Sequence, residues 1–141
     1  AGYFFHVREQ AVKLGLDFVH HRQRLFDLIK KTEAENVIFI TGDQHYGEVL
    51  RVDDSLGYDA VEFMFSGINQ EEPHVYATHR VSPVAHARDS YALIDVQWKS
   101  DSVRGDNADP AHVTFRCFDA WKQEAELTYR VNLSELKSPQ R

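Results

Sequence analysis

The sequence predicts an α/β chain, one amphipathic helix followed by a mainly antiparallel set of strands. Apolar residues Val19, Leu25, Phe26, Leu28 and Ile29 recur at helical spacing among arginines, lysines and glutamines. The run Val37-Ile38-Phe39-Ile40 is continuously apolar and stops at Thr41-Gly42-Asp43. Farther on, period-two alternation returns in several segments separated by turn-forming residues.

Taken in order, the residues up to Asp17 mix aromatics, glycines and charges without a period, and little structure is assigned to them. The helix is placed over 19–35. Residues 37–40 read as a central strand buried on both faces, its C-terminal end opening into a loop, which is where open α/β sheets bind ligands. Segments 46–52 and 59–65 flank Asp53-Asp54-Ser55-Leu56-Gly57 and form a hairpin. Residues 66–89, with Pro73, Pro83 and several histidines, read as an irregular excursion of a length that is usually functional or mobile. Three more strands are expected at 91–98, 111–118 and 124–131, with 99–110 as a long hairpin connection and 133–141 as a polar tail.

At 141 residues the chain fits one domain, 1–141, and its 43% hydrophobic and 27% charged residues require a packed core. Sixteen basic against 22 acidic residues give a formal charge of −6, which argues against a nucleic-acid partner. Trp98, Trp121 and the phenylalanines form no base-stacking motif. No apolar stretch is long enough for membrane insertion, and the first residues lack the layout of a signal peptide. The single cysteine, Cys117, alternates with Val113 and Phe115 and is read as a buried thiol.

The stretch that carries chemistry is Thr41-Gly42-Asp43-Gln44-His45-Tyr46-Gly47-Glu48. A carboxylate and an imidazole two residues apart, just past a buried strand, converge on one point if the backbone turns tightly between them. Asp43 and His45 would offer one oxygen and one nitrogen to a divalent or trivalent metal ion, Fe, Mn or Zn, with Ca favouring the oxygen. Gly42 permits close approach of the chain. An Asx turn with a solvent-facing histidine is the plain alternative. Glu48 either orients His45 through a hydrogen bond or stands in solvent on an alternating strand. His74, with His79 and His86, is a loop histidine able to reach a substrate, although the five-residue spacing of His74 and His79 does not suit a helical zinc pair. His20 and His21 are expected in solvent, and Arg22 and Arg24 in surface ion pairs. Counting from Asp53, the twelfth position is Met64, which rejects an EF-hand.

The order of these pieces resembles the C-terminal half of PhoD-like phosphatases. The resemblance rests on an arginine-bearing helix (His21-Arg22-Gln23-Arg24-Leu25), a strand ending in Gly-Asp-x-His, a nearby glutamate, a strand ending in Ser66-Gly67, and the later Ser90-Tyr91-Ala92-Leu93-Ile94. It runs from about residue 20 to about 136 and is most specific over 37–67. It implies part of a metallophosphoesterase αββα sandwich, with metal ions at the strand ends that activate a hydroxide for attack on phosphate mono- or diesters. Asp43 and His45 would map onto metal ligands, and Asn69, after Ser66-Gly67-Ile68, would lie at a turn close to the catalytic face as a candidate for positioning substrate, with Gly67 as a mere turn residue the plain alternative.

The chain also departs from that pattern. No Asp-x-His, Gly-Asp-x-x-Asp or Gly-Asn-His element precedes residue 41, and two ligands do not make a catalytic centre. The isolated chain is expected to be weakly active or inactive, with a missing N-terminal half or a homo-oligomer partner supplying the rest. The resembled family is often exported. The reading from another class is a non-catalytic α/β binding or structural module that keeps the fold without the full metal site.

Overall fold

The computed structural model describes residues 17–70, 79–98 and 110–138. Among the described residues one helix, α1 (Asp17–Lys31), precedes six strands: β1 (Ile38–Thr41), β2 (Glu48–Val52), β3 (Ala60–Met64), β4 (Ser90–Gln97), β5 (His112–Asp119) and β6 (Ala125–Asn132). The α/β class, the helix, the hairpin and the three late strands agree with expectation. No helix among the described residues is long and apolar enough to cross a membrane.

The helix ends in a Schellman arrangement. The amides of Glu33 and Ala34 donate to the carbonyls of Lys30 and Ile29, and Glu33 takes the left-handed conformation (φ 53°) that glycine usually occupies. That reversal feeds the chain into β1.

The strands form two three-stranded sheets. The first has the order β1-β3-β2, with β1 parallel to β3 and β2 antiparallel to it. The second, β4-β5-β6, is antiparallel throughout. Because side chains alternate between faces, neighbouring residues of β3 serve different layers. Phe63 points to the second sheet and stacks on Phe115 at 5.0 Å between ring centroids, with Tyr129 edge-on at 6.4 Å. The opposite face carries Phe39, which meets Phe26 of α1 at 5.9 Å. The layers are therefore helix, mixed sheet, antiparallel sheet.

Two expectations are corrected. Residues 37–40 do not form a central strand buried on both faces: among the described residues β1 pairs only with β3, and Ile40 is 61% exposed. A continuous apolar run reports two apolar faces, but it does not report whether a second strand lies alongside. The outer edge of β2, by contrast, is covered, since Arg51 donates to the His79 carbonyl and Val81 to that of Val49. Second, 133–141 is not simply a polar tail. Leu133–Glu135 is a 3-10 turn, Leu136 is fully buried, and its carbonyl accepts the Asn36 amide at 2.7 Å. Trp98 and Trp121 are exposed. Cys117 is fully buried as expected.

The β2–β3 turn is fastened by Asp59, whose carboxylate accepts the Asp54 amide at 2.9 Å and the Arg51 guanidinium at 2.7 Å. The Asp54 amide is the larger influence, and with Arg51 it holds the Asp59 carboxyl below its ordinary value of 3.8 against the opposing pull of burial. A depressed folded-state value means that the unfolded chain takes up the proton first. The contribution is complete above pH 3.8 and is lost as pH falls through the lower folded value. Asp59→Asn is expected to cost about 1 kcal/mol at pH 6. The gap from the unsubstituted chain in urea unfolding should narrow as pH is lowered below 3.8.

Candidate metal centre

The predicted ligand pair lies where β1 ends. Thr41 closes the strand, Gly42 follows, and Asp43 and His45 both take left-handed backbone conformations, at φ 82° and 59°. Such conformations cost a non-glycine residue about 1 to 3 kcal/mol each and persist only where the surroundings enforce them. Asp43 is exposed and His45 half-buried.

The enforcement comes from the segment after β3. Its Ser66 hydroxyl accepts the His45 amide at 2.7 Å, the Ser66 amide donates to the Tyr46 carbonyl at 3.2 Å, and the Phe65 amide donates to the Thr41 carbonyl at 3.1 Å. Two glycines let these backbones touch. A Cβ on Gly42 would stand 3.1 Å from the Phe65 carbonyl oxygen, and one on Gly67, at φ 94°, would stand 2.8 Å from that of His45. The second sheet fixes this segment in turn, because Ser90 at the start of β4 donates its amide to the Gly67 carbonyl at 3.1 Å and its hydroxyl to that of Ser66 at 3.3 Å.

Beneath the turn, Gly47 and His86 exchange two backbone hydrogen bonds of 2.8 Å, and Gly47 rests on Cys117. A Cβ on Gly47 would approach the Cys117 Sγ to 2.8 Å. Burial pushes the thiol up to about 11, outweighing the Ser90 hydrogen bond that lowers it, so the sulfur is a neutral packing atom. Gly47→Ala is expected to cost about 1 to 3 kcal/mol by overpacking, and Cys117→Ala in the same chain should recover most of that loss. Urea midpoints of the two single variants and the double variant check the coupling.

The other candidates divide. Glu48 is fully buried at the start of β2, which overturns the solvated alternative. It shares the helix-side face of the sheet with Glu62 of β3, also fully buried, since Glu48 pairs with Met64 and Leu50 with Glu62. Glu62 accepts the hydroxyl of Thr41, the residue before Gly42. Asn69 is exposed beyond Gly67. His74 lies outside the described residues. His79 is exposed beside β2, and His86 is only 8% exposed, with Nε2 lacking a hydrogen-bond partner. Sequence reasoning missed Ser66, Glu62 and the Gly47–Cys117 contact. Only Glu62 left a signal, a charge inside the apolar run Ala60-Val61-Glu62-Phe63-Met64.

As a donor set the turn fits a metal ion in part. It offers one accessible carboxylate and one imidazole from a single rigid bend, the oxygen and nitrogen types that Mn, Fe or Zn accept. Among the described residues no three histidine, cysteine, aspartate or glutamate side chains are grouped to hold a metal.

Comparison with known proteins bears on the same segment. No curated protein and no solved structure matches the chain significantly. The family model of PhoD-like phosphatases matches residues 15–109, two thirds of the chain, taking in α1, β1 to β4 and the Asp43–His45 turn but stopping short of β5 and β6. The chain belongs to the PhoD-like phosphatase family.

Proposed function

We propose that Asp43 and His45 are two ligands of a phosphoesterase metal centre, and that the chain takes part in hydrolysis of phosphate mono- or diesters once further ligands complete that centre. The observation that carries this reading is the bend itself: two left-handed residues, held by Ser66, Gly42 and Gly67, at the sheet end where α/β proteins bind ligands. PhoD-like phosphatases are metal-dependent in general. A metal ion bound there would polarise a phosphoryl oxygen and lower the pKa of a bound water. The chain's own residues have the task of positioning. Asp43 presents a carboxylate to solvent, Ser66 sets the backbone from which His45 projects, and the Thr41 hydroxyl on Glu62 pins the strand end against recoil.

Completion has a natural place. The strand that ends in the ligand turn is also the one whose outer edge is open among the described residues. A parallel strand added beside β1 would deliver its own C-terminal loop next to Asp43. The added strand belongs either to another polypeptide segment rich in aspartate and histidine or to a second copy of this chain. The two-ligand set favours a second reading, a non-catalytic module that keeps the fold.

Turnover of p-nitrophenyl phosphate and bis-p-nitrophenyl phosphate separates the two. With Mn, Fe, Zn or Ca supplied, the chain should be weakly active or inactive alone. It should gain activity when combined with a PhoD-like segment bearing the remaining ligands, and lose that gain with Asp43→Asn. No gain in any combination would leave the module reading.

A further inference from the structure

We infer that the cleft between α1 and the β2–β3 turn binds a small phosphorylated anion, at a site separate from the Asp43–His45 turn. The cleft has a volume of about 380 Å³ and is lined by Arg22, Phe26 and Lys30 of α1, Val52 and Ser55 of the β2 end, and His79. Residues 22, 26 and 30 are spaced by four and so share one face of the helix. Their spacing places the guanidinium and the ammonium on either side of the phenyl ring, with backbones about 12 Å apart along the axis.

The lining is opposite in character to the rest of the molecule. The chain carries a formal −6, yet the residues lining the cleft include Arg22, Lys30 and His79 and no carboxylate. Arginine and lysine side chains only donate hydrogen bonds, and a histidine ring offers at least one N–H in either tautomer. The Ser55 hydroxyl already donates to the Val52 carbonyl at 3.0 Å, and Gln23, which also lines the cleft, donates to Asp27 at 2.8 Å. A ligand rich in acceptors and negatively charged suits this lining. Arg22 and Lys30 from α1, with His79 from the segment beside β2, suit a tetrahedral phosphate with oxygens in several directions.

Buried Phe26 and half-buried Val52 supply an apolar floor that bare phosphate would leave uncovered. The volume, equal to roughly a dozen waters at about 30 Å³ each, accommodates a phosphate carrying one ring. A phosphomonoester is therefore preferred over inorganic phosphate. Val52 lies four residues along β2 from Glu48, whose partner Met64 pairs with Thr41. At the rise of an extended strand this is about 13 Å from the ligand turn, so an occupant here is held and not hydrolysed. The site does not depend on Asp43 and His45 binding metal.

Backbone amide NMR of the metal-free chain at low ionic strength, titrated in turn with phenyl phosphate, inorganic phosphate and phenol, tests the assignment. Saturable shifts are expected at 22–30, 52–55 and 79, tighter for phenyl phosphate than for inorganic phosphate and absent with phenol. Lys30 and His79 are both exposed, so Lys30→Gln with His79→Gln should keep the fold and weaken binding at least about tenfold. Shifts confined to 42–47, no saturable shift, or unchanged affinity in the double variant would overturn the site. Equal affinity for both phosphates would overturn its preference for an ester.

Discussion

Gly67→Ala is expected to lower stability by about 3 kcal/mol or more, summing the strain of a left-handed alanine and the overpacking its methyl group creates. The added Cβ would fall 2.7 Å from the Gln70 carbonyl oxygen and 2.8 Å from that of His45, both backbone atoms that cannot swing aside. Gly57 is the control, since it too is left-handed (φ 83°) but its Cβ would meet only the Ser138 hydroxyl at 3.0 Å. Gly57→Ala should cost about 1 kcal/mol. For a domain of ordinary stability, about 5 to 15 kcal/mol, the first substitution removes a large share and the second little. Urea unfolding of both variants gives the comparison, and equal losses would show that the carbonyl contacts at Gly67 yield easily. Because one of those contacts is to His45 itself, Gly67→Ala should also displace the imidazole.

Phe63→Ala is expected to cost about 3 to 5 kcal/mol, the usual range for removing a buried phenyl ring. Phe63 is fully buried and joins the two sheets through Phe115 and Tyr129, so the cavity would open between the two layers. A fall in urea midpoint that matches this loss, with an unchanged denaturant slope, is the expected result.

Much of this architecture was legible because it is local. The spacing of Phe26 and Ile29 marks the buried stripe of α1, the alternation in 59–65 and 111–118 marks β3 and β5, and Asp53 to Gly57 marks the turn between β2 and β3. The bend that carries Asp43 and His45 was legible for the same reason, since residues 42–45 are contiguous and follow a strand end.

What stayed hidden depends on distant partners. Ser66 is 21 residues from the His45 amide it accepts, and Cys117 meets Gly47 from the other sheet. Neither contact leaves a trace in spacing. Glu48 was ambiguous because an alternating strand says which residues share a face but not what covers it, and here that face is closed over both Glu48 and Glu62. The same limit explains β1, whose apolar run implied two covered faces while Ile40 stands open. Leu136 was missed because one apolar residue in a polar stretch has no periodicity to declare it.

The central claim is that the Asp43–His45 bend binds metal, and paramagnetic broadening by Mn²⁺ in amide NMR tests it residue by residue. Substoichiometric Mn²⁺ should broaden the signals of 42–47 and 65–67 first. Asp43→Asn with His45→Asn should remove that pattern while the rest of the spectrum stays in place, asparagine being chosen because it tolerates the left-handed backbone. Broadening centred on other acidic residues such as Asp53 and Asp54, or a pattern at 42–47 that survives the double substitution, would contradict the claim.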